Sequence, residues 1–280
     1  MNGGRFVRTV SAGLACLALL EIPVAAQDAP VREFLEDAGR IWTAPFRIKE
    51  KNVAPLVVLT AATAFLIAGD GGIRDGFQDF VSRHTWVSGT ADAIDEMGNL
   101  GAWATAGAFF GAGLIFKDPK AKETGYLAAN AMLQTFFVDN FLKGLTGRQR
   151  PFFADGEDRW SGPVGFWKRF DKGEAARYVS FPSGHTANAF ALATVVAMQY
   201  RDEPWVPVLA YTVAASVGLS RMVLDRHWAS DVLVGAVVGH FVSRLVVRNH
   251  RRRQRLVPAL ACSGRAVVLS LSYDLGPGFR

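Results

Sequence analysis

Cysteine is nearly absent. Cys16 and Cys262 are the only two in 280 residues, and Cys16 falls in a segment with the features of a removable leader, so no disulfide framework is implied. Charge is also scarce. Asp, Glu, Lys and Arg make up 20% of the chain against 50% hydrophobic residues, a low share for a soluble globular protein. No internal repeat is visible, so the chain is not a repeat array. The basic balance, a formal net charge of +6, is uneven: five arginines fall in "RNHRRRQR", Arg248–Arg255. No aromatic-basic platform accompanies that run, which argues against nucleic acid as a partner. A solvated tail or a membrane-surface role remains for it.

What is present in quantity is apolar sequence. Residues 1–26 have a positive start at Arg5 and Arg8, an apolar centre "VSAGLACLALL" and a small-residue end at Ala26, the pattern of a secretory signal peptide. Residues 27–52 form a lead-in in which Val31, Phe34, Leu35, Ala38, Ile41 and Trp42 recur at helical spacing, predicting a short amphipathic helix. Six apolar stretches follow, at roughly 53–69, 100–116, 125–142, 186–200, 205–222 and 231–247. The first is clean enough to span a bilayer. The second is rich in Gly and Ala, as close helix contacts in membranes often are. The third carries Gln134, Asp139 and Asn140, and the sixth His240 and Arg244, so these belong inside a bundle rather than against lipid. Residues 248–280 read as a basic tail ending in a strand-like alternation, Leu269, Leu271, Tyr273 and Leu275.

Three charged clusters stand at the ends of these stretches. The first is "KGLTGRQRP", with Lys143, six intervening residues, then Arg150-Pro151. The second is Pro182-Ser183-Gly184-His185, directly before an apolar helical run. The third is "SRMVLDRHWASD", with Ser220-Arg221, five residues, His227, three residues and Asp231. The first cluster ends the third stretch, the second begins the fourth, and the third lies between the fifth and sixth. Helices alternating in direction bring all three to one side. Lys143, Arg150 and Arg221 then face an oxyanion, and backbone N–H groups at Ser183 and Gly184 complete a helix-start cradle. His227 and Asp231, four apart, share a helix face, so the carboxylate holds Nδ1–H and frees Nε2. Two histidines divide the labour of nucleophile and proton carrier. No metal-ligand signature stands at these ends, so a metal-free mechanism is preferred.

Taken singly, each cluster has a plain explanation. Lys143 and Arg150 suit a helix C-terminus, His185 a cap, and the His227/Asp231 pair a helix surface. It is their joint order that is specific. Together they resemble the tripartite signature of the type 2 phosphatidic acid phosphatase and vanadium haloperoxidase superfamily, with no substitution at a signature position and over roughly residues 53–247. The resemblance implies an all-α, six-helix membrane-type bundle, here with a short strand-like tail. It implies hydrolysis of a phosphomonoester or diphosphate without a metal or other cofactor, often on lipids such as phosphatidate, phosphatidylglycerol phosphate or isoprenyl diphosphates; vanadate fits the same cradle. It implies His227 as the nucleophile that becomes phosphohistidine, Asp231 as its orienting partner and His185 as the acid toward the leaving group. Lys143, Arg150, Ser183, Gly184 and Arg221 would bind the phosphate. A soluble nonspecific acid phosphatase, a vanadate-dependent haloperoxidase and a non-enzymatic protein with a relict site are the alternatives. The expected partners are a phosphorylated lipid or small phosphoester and a membrane, with the oligomeric state open.

His84, His240, His250, Arg148 and Trp228 fall outside the signature. They are expected as ordinary residues, His240 as a satisfied core group, Arg148 as a solvated neighbour and Trp228 as packing. Topology holds a tension. Basic loop 117–124 and run 248–255 on the cytoplasmic side put the site in the periplasm, but also put 27–52 inside, whereas a cleaved leader puts them outside. The expectation adopted is a membrane-embedded core of the bacterial envelope with a periplasm-facing site, a peripheral periplasmic domain being the alternative.

Overall fold

A computed structural model describes residues 29–153, 160–263 and 266–273; the leader over 1–26, with Cys16, and Leu275 lie outside them. The described residues form nine α-helices: α1 Ala29–Thr43, α2 Val53–Arg83, α3 Trp86–Asp95, α4 Leu100–Ile115, α5 Pro119–Thr146, α6 Gly162–Trp167, α7 Gly184–Gln199, α8 Trp205–Val223 and α9 Ala229–Arg255. Two strands follow, β1 Leu256–Ser263 and β2 Ala266–Tyr273. The chain divides into two compact units at Pro45 and Phe46. The first contains α1, the expected amphipathic helix, with an exposed Arg32–Glu36 pair one turn apart at 3.5 Å.

The second unit is all-α apart from the terminal hairpin, and each of the six apolar stretches is a helix. Helix α5 shows how local chemistry sets the ends. Asp118 accepts from the N–H groups of Lys120 and Ala121 at 2.9 and 3.2 Å, and Pro119 opens the first turn, where its missing N–H costs nothing. Gly147 ends the helix at φ +50° with its N–H on the Lys143 carbonyl. A Cβ there would also collide with the Gly162 carbonyl, so glycine is required twice over.

Helices α7 and α9 pack backbone to backbone because Gly235 and Gly239, one turn apart on α9, leave no Cβ between them and the carbonyls of Ser183 and Ala187. Gly125 on α5 does the same against α4 at Ala106 and Phe110. Small residues at such crossings are how helices associate in lipid, where apolar burial supplies little drive.

Three helical segments, Glu50–Arg83, Trp205–Val223 and Ala229–Gln254, are long and apolar enough to cross a membrane. Leu56, Val57, Val58 and Phe65 of α2 and Phe136, Phe137, Phe141 and Leu145 of α5 are exposed, apolar surface of the kind that marks a membrane or partner contact. With 31 residues, α2 is about 46 Å long at about 1.5 Å per residue, against a hydrocarbon core of about 30 Å. It therefore overhangs, and the overhang is its polar end, from Asp70 onward.

Of the polar residues expected inside from the third stretch, Gln134 and Asp139 are buried, whereas Asn140 is only half-buried, its amide on the Phe136 carbonyl. His240 is bonded to Thr194 and Tyr211 at 3.2 and 3.0 Å. Arg244, expected inside, is exposed instead; near the polar end of α9 its long stem can carry the charge outward. The run Arg248–Arg255, read as a tail, continues α9 as helix, and Arg251 is tied to the Met198 carbonyl and to Gln199. The strand-like alternation is one arm of an antiparallel hairpin, Leu256 opposite Tyr273 and Ser263 opposite Ala266.

Candidate active site

The three clusters meet at one end of the bundle. Lys143 lies in the last turn of α5, Arg150 four residues beyond it, His185 in the first turn of α7, Arg221 in the last turn of α8 and His227 in the loop before α9. A backbone bond from the Ser183 N–H to the Asp231 carbonyl, 3.0 Å, ties the start of α7 to that of α9. The N–H groups of Arg226 and His227 both reach the Arg221 carbonyl, at 2.9 and 3.2 Å, which folds the His227 loop back on α8. A Cβ on Gly184 would stand 3.1 Å from Lys143 Nζ, so a larger residue there would press on the ammonium at the helix start.

Burial and mutual repulsion set the charge states. His227 is held well below the ordinary imidazole range, first by burial and then by Arg150, Arg221, Lys143 and His185 around it. It is therefore neutral, with a ring lone pair available. His185 is pushed down to about 4 by burial and next by Arg221. Arg150 is lowered to about 10 by burial, Arg221 and Arg226. Cations that disfavour one another in this way favour an anion placed among them.

Several features were not expected. The Ser183 N–H, assigned to the anion cradle, is committed to Asp231; its hydroxyl, which accepts from Thr186 at 2.9 Å, keeps its own proton to donate, and the Gly184 N–H is among the first-turn donors with no helical acceptor. Lys143 is paired with Asp139 on its own helix and Arg221 with Asp95 of α3. Arg148 corrects the expectation of a solvated neighbour. It is fully buried, with Nη1 on Asp231 Oδ1 and Nη2 on Asp70 Oδ2, both at 2.6 Å, and Ser230 bridges the same groups. Its guanidinium lies between the rings of Trp160 and Trp228, 4.5 and 5.2 Å from their centroids. Trp228 is buried as packing, its Nε1–H on the Gln149 carbonyl at 2.9 Å. Asp231 Oδ2 accepts from Ser180 and from the Trp228 N–H at 2.5 and 3.0 Å and stands 3.4 Å from His227 Nδ1. The Asp139/Lys143 spacing was a legible signal; Asp70 and Asp95 gave none.

A model of the PAP2 superfamily matches residues 124–255, a span that holds every predicted site residue. The chain is 50% identical over 86 residues to the lipid A 1-phosphatase of Porphyromonas gingivalis, covering 30% of this chain and 19% of that protein. The lipid A 4'-phosphatase of Bacteroides thetaiotaomicron is 29% identical over 119 residues, 41% of this chain and 50% of that protein. The chain thus spans between a fifth and a half of the length of these relatives. The fold is similar to the crystal structure of the first transmembrane PAP2 type phosphatidylglycerolphosphate phosphatase from Bacillus subtilis, with TM-score 0.53 and 22% identity over 72% of this chain and 97% of that one.

Proposed function

We propose that the protein is a lipid phosphate phosphatase working through a phosphohistidine. His227 Nε2 attacks phosphorus as the bond to the leaving oxygen breaks, and His185 supplies the proton that oxygen takes. Water then attacks the phosphoryl group, its proton goes to His185, and the electron pair of the P–N bond returns to Nε2. Lys143, Arg150 and Arg221, with the Ser183 hydroxyl and the Gly184 N–H, hold the phosphoryl oxygens while charge builds on them. Asp231 keeps the His227 proton on Nδ1. A phosphate dianion among these cations raises the proton affinity of His185, which is what an acid toward the leaving group needs.

The observation that carries a lipid substrate is α2. Its apolar half faces outward and its polar overhang supplies Asp70 and Arg74 to the site end, so the site stands level with the edge of a bilayer, where lipid phosphates lie. A water-soluble phosphoester needs no such placement. Lys117, Lys120, Lys122, Arg201 and Arg248–Arg255 gather at the opposite end, where Gln199 bonds Glu123 at 2.9 Å. That end is cytoplasmic by its positive charge, and the site faces the periplasm. The named lipid A phosphatases put phosphorylated glycolipids first among the candidates. The test is phosphate release by purified protein in detergent from lipid A, phosphatidylglycerol phosphate, phosphatidate and a water-soluble ester. Turnover of a lipid ester that His227→Ala abolishes is expected; turnover retained by His227→Ala, or seen only on the soluble ester, refutes the reading.

A further inference from the structure

At the site end Arg150 and Arg226 have no carboxylate within ion-pair reach among the described residues. Lys143 has Asp139, Arg221 has Asp95, Arg148 has Asp70 and Asp231, and Arg74 has Asp225. Arg150 belongs to the signature. Arg226 does not, although it immediately precedes the nucleophile.

The loop is built to keep Arg226 unpaired. Its neighbour Asp225 adopts φ +55°, a left-handed conformation that a non-glycine residue holds only when its surroundings fix it. Here Arg74 of α2 does so, with Nε and Nη2 on the two Asp225 oxygens at 2.7 and 2.6 Å. Gln78, one turn on, reaches the Met222 and Val223 carbonyls. The carboxylate next to Arg226 is thus consumed by another helix. On the other side the Phe152 N–H bonds the Asp225 carbonyl at 3.3 Å, and the Arg226 guanidinium lies over the Phe152 ring, 5.1 Å from its centroid. Phe152 follows Arg150-Pro151 directly. Arg226 is therefore an exposed cation parked on an aromatic face at the rim of the buried site, close enough to Arg150 to disfavour its charge.

We propose that Arg226 holds a second phosphoryl group, the one attached directly to the phosphoryl group that His227 attacks, and so favours diphosphate over monophosphate esters. This rests on the phosphatase reading above. With the terminal phosphoryl group among Lys143, Arg150 and Arg221, the next one occupies the rim, and its oxygens accept from the Arg226 fork in place of water. Cleavage is ordinary hydrolysis: the terminal P–O bond breaks, the bridging oxygen stays with the second phosphoryl group and takes the proton, and inorganic phosphate leaves after water opens the P–N bond.

The test compares dodecyl diphosphate with dodecyl monophosphate in neutral detergent micelles, using the parent chain, Arg226→Gln and Arg226→Lys. Losing one charge-assisted contact predicts a fall of about tenfold in kcat/KM for the diphosphate, mainly through KM. The monophosphate should change less than about twofold, and Arg226→Lys should lie between. Arg226 is exposed, so the variant folds, and a thermal melt verifies it. Equal losses on both substrates, no loss on the diphosphate, or a loss that appears only when anionic phosphatidylglycerol is mixed into the micelles overturns the proposal; the last result assigns Arg226 to the lipid surface. A parent chain that cleaves the monophosphate and not the diphosphate also overturns it. A parent chain that cleaves neither refutes the phosphatase reading itself.

Discussion

Replacing Arg148 by Met removes a cation shared by two wholly buried carboxylates. Asp70 and Asp231 accept from its two Nη atoms at 2.6 Å each, and no part of the three side chains reaches solvent. Stranding one buried charge by deleting its partner costs about 3–5 kcal/mol, and here two are stranded. That is a large part of the roughly 5–15 kcal/mol by which a domain is stable, and corresponds to a fall in Tm on the order of 10 °C. On the proposed mechanism the same change acts on the chemistry, because Arg148 no longer fixes the Asp231 carboxylate that stands against His227. The assay is a thermal melt and phosphate release in detergent for Arg148→Met, Asp70→Asn and the double variant. The double variant, with one carboxylate neutralised, should recover a large share of the lost stability. Its remaining defect should be in kcat rather than KM. A single Arg148→Met variant melting within about 2 °C of the parent with unchanged kcat refutes the reasoning.

Gly184→Ala places a methyl group 3.1 Å from Lys143 Nζ and 3.2 Å from Asp139 Oδ2. It should cut kcat/KM by about tenfold or more, as a displaced oxyanion donor does, while the melt stays near that of the parent. Stability should be complete above about pH 6.5 and be lost as pH falls through about 4, because His185, lowered to about 4 by burial and Arg221, binds its proton more weakly folded than unfolded. His185→Gln should flatten the Tm-versus-pH slope in that window, and an unchanged slope contradicts the assignment.

The helices were legible because apolar stretches between polar ends leave few alternatives to a bundle, and the three clusters because their order forces one end. The misreadings share a cause. Arg148 looked like a spacer inside the Lys143–Arg150 segment, and only the approach of α2 gives it Asp70. Asp95 and Asp225 sit in segments whose sequence carries no periodic signal, and their partners lie 126 and 151 residues away. The Ser183 N–H seemed free because a helix start exposes donors in general; the Asp231 carbonyl that takes it comes from another helix. The reach of Arg248–Arg255 as helix was hidden because a run of like charge reads as solvated until Met198 and Gln199 are seen to receive it.

The pairing of Lys143, Arg148 and Arg221 with resident carboxylates has a bearing on turnover. A pocket of bare cations would be slow to assemble and slow to let go of inorganic phosphate. In this one Asp139 and Asp95 stand beside the ammonium and guanidinium they pair with, where the proposed cycle would have them take those groups back as the product departs. On that reading, affinity for the dianion would be moderated at both ends of the cycle.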